Sequence, residues 1–251
     1  MKERIFLATL FIAILASMLL ASTADELQQA AKLGKAAFVL VKDPNTIGTE
    51  IESAWSKIQD AMKLAKGSVL IELDRNDDAN ADLVARYRLS GAPLPVILVI
   101  TPDGIISGGV EGNKATPEML ANMVPSPKMS QILKAIDDGN AVFITAYRKK
   151  MTMCDKVLAS CEDAVKKMQG KAVLIKIDMN DKSETQLLNM LKINVGSDEP
   201  VTMVGNQKGQ IAATFTGEVN ADDLVQATKK KVGGCCPSKV TGGGGSCAPK
   251  K

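Results

Sequence analysis

Hydrophobic and polar residues recur along the chain with the period of a β-strand in some segments and that of an α-helix in others. The order of these segments predicts the same series of strands and helices twice. Short apolar runs rich in β-branched residues indicate buried strands, whereas apolar residues three and four apart indicate amphipathic helices. Glu50–Leu64 has the helical spacing, and Gly67 ends it. The pattern therefore predicts the order βαβαββα in each half of the chain.

The predicted elements fall at matching places in the two halves. Those of the first half are strands Ala36–Val41, Val69–Leu73, Val96–Ile100 and Ile105–Val110 and helices Glu50–Leu64, Ala81–Tyr87 and Thr116–Val124. Those of the second half are strands Val142–Tyr147, Val173–Ile177, Val201–Val204 and Ile211–Phe215 and helices Met153–Met168, Glu184–Leu191 and Ala221–Lys230, with Met129–Ile136 opening that half. Strand–helix–strand passages predict parallel pairing, and the last two strands of each half predict an antiparallel hairpin at one edge.

The two halves are also a sequence repeat. Ala37–Asp74 aligns with Ala141–Asp178 without a gap, and after one added residue Pro95 aligns with Pro200. Such self-similarity predicts two folding units of about a hundred residues, a size sufficient for an independent core. Each copy then serves as a control for the other, because a chemical group present in only one of them stands out.

Four segments are expected along the chain. Residues 1–24 form an export signal helix, 25–125 and 126–231 form the two domains, and 232–251 form a flexible tail rich in glycine, cysteine and lysine. The segment Pro125-Ser126-Pro127 joins the domains, and two prolines in three residues make a short, stiff joint.

The amino-terminal segment has the features of an export signal. Lys2 and Arg4 precede the apolar run Ile5–Leu20, and the small residues Ser22-Thr23-Ala24 offer a cleavage site. An uncleaved membrane anchor is the alternative, although the run is shorter than the ~20 residues that span a bilayer. The protein is therefore expected in the periplasm or outside the cell, and it meets a membrane only if this segment is retained.

The composition narrows the possible chemistry. Of the 251 residues, 45% are hydrophobic and 24% are charged, which leaves enough apolar material for two cores. A net charge of +3 and an aromatic content of 3% do not favour a nucleic-acid partner. The chain has no histidine, which excludes Ser-His-Asp and Cys-His catalysis and the commonest zinc sites.

The element order and two segments, Leu73–Gly112 and Ile177–Gly217, resemble the thioredoxin superfamily. Each segment is similar to the family's passage of strand, short helix, loop, proline and hairpin. Pro95 and Pro200 fall where the family has a cis-proline that faces the substrate. The resemblance implies an α/β fold of two tandem thioredoxin-like domains, each with a central mixed sheet flanked by helices.

The family's activity depends on a C-x-x-C pair at the start of the first long helix, where the helix end lowers the pKa of the attacking thiol. The positions that match in the second copy are Met151, Thr152, Met153 and Cys154, and those in the first copy are Ile47, Gly48, Thr49 and Glu50. The family's buried acid falls at Thr145 and Val41. Since a thioether cannot ionise, dithiol exchange is not expected in either domain.

Cys154 and Cys161 lie on one predicted helix, seven residues apart. At ~1.5 Å per residue their Cα atoms are about 10 Å apart, beyond the ~7 Å limit for a disulfide. Cys161 lies on the apolar face and is expected to be a small buried hydrophobe. Cys154 is either an exposed thiol that acts alone or a relic of the lost pair.

The tail holds the other three cysteines, Cys235, Cys236 and Cys247. They could form a structural disulfide such as Cys236–Cys247, act as a mobile redox arm for Cys154, or bind a soft cation such as Cu(I), Hg(II) or As(III). The run Gly242–Ser246 is also typical of an artificial linker. The sequence leaves these alternatives open.

Two functions therefore compete. In the first, domains that have lost dithiol chemistry bind an extended peptide or another protein, without a required cofactor, on the surface formed by Pro95, Pro200, Met151, Met153 and Cys154. In the second, the cysteines of the tail, with Cys154, perform thiol redox chemistry or hold a metal. The sequence favours the first, non-catalytic role for the domains.

Overall fold

The computed structural model describes residues 22–230. Most of the proposed export segment and the whole cysteine tail lie outside these residues. Two four-stranded mixed sheets, with strand orders β2-β1-β3-β4 and β6-β5-β7-β8, form the centres of two domains. The expected α/β architecture of two tandem domains is therefore confirmed.

Each domain contains four α-helices and four strands among the described residues. The first consists of α1 (Thr23–Lys32), β1 (Ala37–Lys42), α2 (Gly48–Leu64), β2 (Val69–Asp74), α3 (Ala81–Arg86), β3 (Val96–Ile100), β4 (Ile106–Glu111) and α4 (Pro117–Met123). The second consists of α5 (Pro127–Asp137), β5 (Ala141–Tyr147), α6 (Cys154–Lys167), β6 (Ala172–Asp178), α7 (Thr185–Met190), β7 (Val201–Gly205), β8 (Ile211–Thr216) and α8 (Ala221–Thr228). Short 3₁₀ turns, Asp78–Asn80 and Lys182–Glu184, precede α3 and α7.

The strand pairing follows the sequence prediction. β1 pairs with β2 in parallel and with β3 antiparallel, and β3 and β4 form the hairpin; the second sheet repeats this pattern. The central strands are buried on both faces, as Phe38 and Phe143 illustrate with exposed fractions of 0%. Helices therefore cover both faces of each sheet, α1 and α3 on one side and α2 and α4 on the other in the first domain.

The structure corrects the gapless alignment of the repeat. Val41 lies opposite Val96 in the first sheet, whereas Ala146 lies opposite Val201 in the second, so β1 and β5 are offset by 105 residues rather than 104. A shift of one residue moves every side chain of a strand to the other face. The first-domain counterpart of Thr145 is therefore Leu40 and not Val41.

The long helices follow a third offset. The buried residues of α2 (Ala54, Ile58 and Ala61) and of α6 (Val157, Cys161 and Ala164) have the same spacing and lie 103 residues apart. The connection between strand and helix is thus two residues shorter in the second copy, and one added residue after the helix gives the offset of 104 at Asp74 and Asp178. The first-domain counterparts of Met151–Cys154 are consequently Gly48–Ile51, not Ile47–Glu50.

Helix α1 begins inside the segment that the sequence assigned to export. Ser22 caps it, since the Ser22 hydroxyl accepts a hydrogen bond from the Asp25 N–H at 3.2 Å and the Asp25 carboxylate accepts one from the Ser22 N–H at 3.2 Å. Thr23 also donates to the Glu72 carbonyl at 3.3 Å. The domain boundary expected after residue 24 therefore falls in the first turn of a capped helix. No helix between residues 22 and 230 is long and apolar enough to cross a bilayer.

The joint between the domains is anchored by a buried carboxylate. Ser126 caps α5, and Glu184, which is 2% exposed, accepts hydrogen bonds from the Ser126 hydroxyl and from the Lys128 N–H at 3.0 Å. A second contact crosses the joint, where the Gln186 amide donates to the Asn122 carbonyl at 2.7 Å. These hydrogen bonds support the short, stiff connection expected from Pro125 and Pro127.

Candidate functional site

The strongest candidate site is a groove of about 640 Å³ in the second domain. It lies at the carboxyl ends of the parallel strands β5 and β6, where ligands of α/β proteins commonly bind. It is lined by residues 148–152, which connect β5 to α6, and by Asp178, Asn180 and Asp198. The groove thus coincides with the segment where the sequence placed the missing C-x-x-C pair.

Met151, which the sequence matched to the family's attacking cysteine, is held in a tight turn. Its N–H donates to the Arg148 carbonyl at 2.9 Å, and its sulfur accepts a hydrogen bond from the Arg148 N–H at 3.2 Å. The side chain is 8% exposed and packs in the same core cluster as Cys154. The thioether therefore has a structural role, in closing the turn and filling the core.

Met153 gives the start of α6 an unusual backbone. Its φ of 70° lies in the left-handed region, where a side chain costs roughly 1–2 kcal/mol. In the first domain the three residues Gly48, Thr49 and Glu50 form the first turn of α2, whereas their counterparts precede α6. The left-handed residue turns the chain out of the helix and shapes the wall of the groove.

Cys154 is buried, which overturns the expectation that it could be an exposed thiol. It is the first residue of α6, is 5% exposed and forms no disulfide. A helix amino terminus lowers a thiol pKa. Burial, together with the neighbouring Asp155 carboxylate, nevertheless raises the pKa of Cys154 above its ordinary value, against a smaller lowering by Lys176. Both effects favour the neutral thiol over the thiolate.

Cys161 belongs to a buried polar cluster, which we call the hydroxyl–thiol trio and define as Thr145, Cys161 and Thr202. All three are 0% exposed. The Thr145 hydroxyl lies 3.4 Å from the Cys161 sulfur and 3.2 Å from the Thr202 hydroxyl, and the sulfur and the Thr202 hydroxyl are 4.0 Å apart. Burial raises the pKa of Cys161 despite these contacts. Its expected role as a small buried residue, unable to pair with Cys154, is confirmed.

The first domain has no such cluster, although it has the same frame. By strand register and helix spacing, the counterparts of the trio are three fully buried aliphatic residues, namely Leu40, Ile58 and Ile97. The trio is therefore particular to the second domain, and sequence reasoning missed it because the gapless alignment paired Thr145 with Val41. Neither domain places an acid at this buried position.

The two prolines before the hairpins differ from each other. The Leu94–Pro95 bond is cis, as the resemblance implied. Glu199–Pro200 is not among the cis bonds of the described residues, so that expectation is corrected for the second domain. X–Pro bonds prefer the trans form by about 0.5–1 kcal/mol, and the preceding turn, in which Ser197 donates to the Glu199 carbonyl at 2.9 Å, accommodates it. Both prolines are buried, and neither lines the groove.

The corresponding edge of the first domain is closed by its own ion pair. Arg75 donates to the Asp43 carboxylate at 2.6 Å and to the Ala92 carbonyl at 2.9 Å. The Arg75 guanidinium holds the pKa of Asp43 below its ordinary value. In the second domain the position of Asp43 is taken by Arg148, which donates to the Val195 carbonyl at 2.8 Å and to the Ser197 carbonyl. In both domains an arginine thus donates to carbonyl groups of the loop that precedes the hairpin. This arginine follows β2 in the first domain and β5 in the second.

The predicted surface is only partly assembled. Met151 lines the groove and Met153 is half-buried beside it, whereas Cys154 lies in the core below. The predicted redox or metal ligands Cys235, Cys236 and Cys247 lie outside the described residues, and so their disulfide, redox and soft-metal roles stay predictions. Within residues 22–230, no cluster of three or more cysteines and carboxylates is placed to hold a metal ion.

Comparison with known proteins gives similarities among solved structures alone. No protein-family model matches the chain, and no curated protein does. The first two thioredoxin domains of Eps1p from Naumovozyma dairenensis are 11% identical, over 81% of this chain and 94% of that one, with a TM-score of 0.31. Human ERp44 is 12% identical, over 79% of this chain and 53% of that one, with a TM-score of 0.33. Thioredoxin-2 of the malaria parasite is 20% identical, over 37% of this chain and 84% of that one, with a TM-score of 0.31.

The strand order, the parallel and antiparallel pairing and the helices on both faces are those that the resemblance to the thioredoxin superfamily implied. The resemblance is thus confirmed for the fold. Over residues 22–230, the chain consists of two tandem thioredoxin-like domains.

Proposed function

We propose that this is an exported binding protein, whose tandem thioredoxin-like domains hold an extended peptide or another protein and do not exchange disulfides. The export part of the proposal is supported by the basic start and the apolar run Ile5–Leu20. The binding part is supported by the groove beside α6, which keeps the place of the family's substrate surface without its thiol pair.

The observation that carries the proposal is the burial of both Met151 and Cys154 in one core cluster. Disulfide exchange requires a thiolate that attacks one sulfur of the substrate, forms a mixed disulfide and releases the other sulfur as a thiolate. Met151 has no S–H proton to lose and therefore cannot take the attacking role. Cys154 is 5% exposed and its pKa is raised, so it is a poor substitute for the missing nucleophile.

Disulfide turnover tests the negative half of the proposal. The full chain carrying Cys235→Ser, Cys236→Ser and Cys247→Ser would be assayed with dithiothreitol and a small fluorogenic disulfide. The expected rate is that of dithiothreitol alone, because the remaining thiols are buried. Catalytic turnover by this variant would contradict the proposal.

Restoring the lost thiol is the matched comparison in the same background. Met151→Cys recreates a C-x-x-C pair with Cys154 and is expected to raise turnover above the background rate, whereas Met151→Leu, which keeps the apolar volume, is not. If Met151→Cys gave no gain in disulfide turnover, the missing thiol would not be the reason that the domain is inactive. This result would contradict the proposal.

Obstruction of the groove tests the binding half. Thr152 is exposed on the groove wall, and its first-domain counterpart Thr49 is exposed on α2. Thr152→Trp is expected to weaken the binding of a fluorescently labelled extended peptide, measured by anisotropy, while Thr49→Trp leaves it unchanged. An equal loss of peptide affinity in the two variants would show that the groove is not the binding site.

A further inference from the structure

Three consecutive cationic residues, Arg148, Lys149 and Lys150, line the groove. Lys149 and Lys150 are exposed, and Arg148 gives its guanidinium hydrogen bonds to two carbonyl groups. Among residues 22–230, none of the three lies within salt-bridge distance of a carboxylate. The groove lining therefore carries three positive charges and the two carboxylates of Asp178 and Asp198, a net charge of 3 − 2 = +1, and no direct ion pair joins them.

The first domain provides a control for this charge. By the strand register, the counterparts of Arg148, Lys149 and Lys150 are Asp43, Pro44 and Asn45. Asp43 is committed to its ion pair with Arg75, so the first domain has no cation on this turn. The three consecutive cations are therefore a property of the second domain and not of the fold.

We propose that the groove of the second domain selects an extended peptide segment that carries acidic side chains. This inference rests on the proposed binding function and names its partner class. Arg148, Lys149 and Lys150 attract the carboxylates of the segment. Asn180 and Asp178, which also line the groove, present an amide and a carboxylate that suit the hydrogen-bonding groups of a peptide backbone.

The shape of the groove favours a peptide over an anionic lipid surface. A concave groove of about 640 Å³ admits a single extended chain but not the plane of a membrane. Anionic vesicles are consequently the competing ligand that the experiment must include.

The test is the binding of three labelled peptides of equal length, acidic, neutral and basic, to the full chain at low and at physiological salt. The acidic peptide is expected to bind most tightly and to lose affinity with salt. Lys149→Gln with Lys150→Gln is expected to weaken the acidic peptide about fivefold, the effect of two exposed ion pairs, and to leave the neutral peptide unchanged.

The matched control is Lys229→Gln with Lys230→Gln, which removes the same charge from exposed positions after α8. It is expected to leave the acidic peptide within twofold of the parent, roughly the scale of a remote surface charge. Equal losses in the two double variants, or equal affinities for acidic and neutral peptides, would overturn the inference while the binding function stands. Binding to phosphatidylserine vesicles in preference to the acidic peptide would also overturn it. Failure to bind any of the three peptides would instead contradict the proposed function.

Discussion

The hydroxyl–thiol trio allows a sharp test of how the second domain is held together. Thr145 is its centre, since its hydroxyl contacts both Cys161 and Thr202. Thr145→Val keeps the side-chain shape but leaves the Thr202 hydroxyl with one contact, the Cys161 sulfur at 4.0 Å. A buried polar group left without a good partner costs about 1–3 kcal/mol, so the single variant is expected to lose about 2 kcal/mol.

The double variant should lose less than the two single variants together. Thr145→Val with Thr202→Val removes both hydroxyls, and replacing both partners by apolar groups of similar shape is nearly neutral. The first domain supports this expectation, because the same cross-strand pair is Leu40 and Ile97, both fully buried. We therefore expect a coupling free energy of at least about 2 kcal/mol between the two positions.

Hydrogen–deuterium exchange provides the assay, because it reports each domain separately. Thr145→Val is expected to speed amide exchange in β5 and β7 by at least about tenfold, which corresponds to 1.4 kcal/mol, while β1 and β3 remain unchanged as an internal control. The double variant should lie closer to the parent. Single variants as stable as the parent, or effects that simply add, would refute the hydrogen-bonded trio.

Two further substitutions test contacts elsewhere in the fold. Glu184→Ala removes the buried acceptor of the Lys128 N–H and should lower the free energy of unfolding, measured in urea, by about 2 kcal/mol. Glu184→Gln should lose less, because its amide oxygen can still accept this hydrogen bond. Equal losses in the two variants would show that the hydrogen bond is not the cause. Gly112→Ala would place a Cβ 2.9 Å from Pro95 Cγ and 3.2 Å from the Pro95 carbonyl oxygen, and should lower the free energy of unfolding by about 1–3 kcal/mol. Gly91→Ala should be neutral, because no atom lies within 4 Å of the added Cβ. Equal thermal stability of these two variants would contradict the packing argument.

The element order was predictable because it depends on local pattern. Apolar runs such as Val96–Ile100 and the helical spacing of Glu50–Leu64 determine strands and helices, and the observed bounds differ by two residues at most in these cases. Helix α1 was missed because its first residues, Thr23 and Ala24, are small residues typical of a cleavage site. Only the capping contacts of Ser22 identify them as a helix start.

The site was harder to predict because it depends on register and burial. Identity between repeats aligned Ala37 with Ala141, but the hydrogen-bond ladders align Ala37 with Val142, and no local pattern separates the two choices. The sequence assigned Met151 to the predicted binding surface, and Met151 lines the groove, but the sequence could not show that Cys154 faces the core. The burial of that thiol depends on packing by residues distant in the sequence, among them Leu187.

The most direct test of the account is the pH dependence of Cys154 alkylation in the folded, full-length protein, followed residue by residue with mass spectrometry. Burial and the Asp155 carboxylate raise the thiol pKa, so the neutral thiol should persist to a higher pH than in a free cysteine peptide, whose pKa is about 8.5. The account predicts slow modification with a midpoint above that of the peptide. Rapid modification with a midpoint near neutral pH would reveal an activated thiolate and contradict the claim that these domains bind without exchanging disulfides.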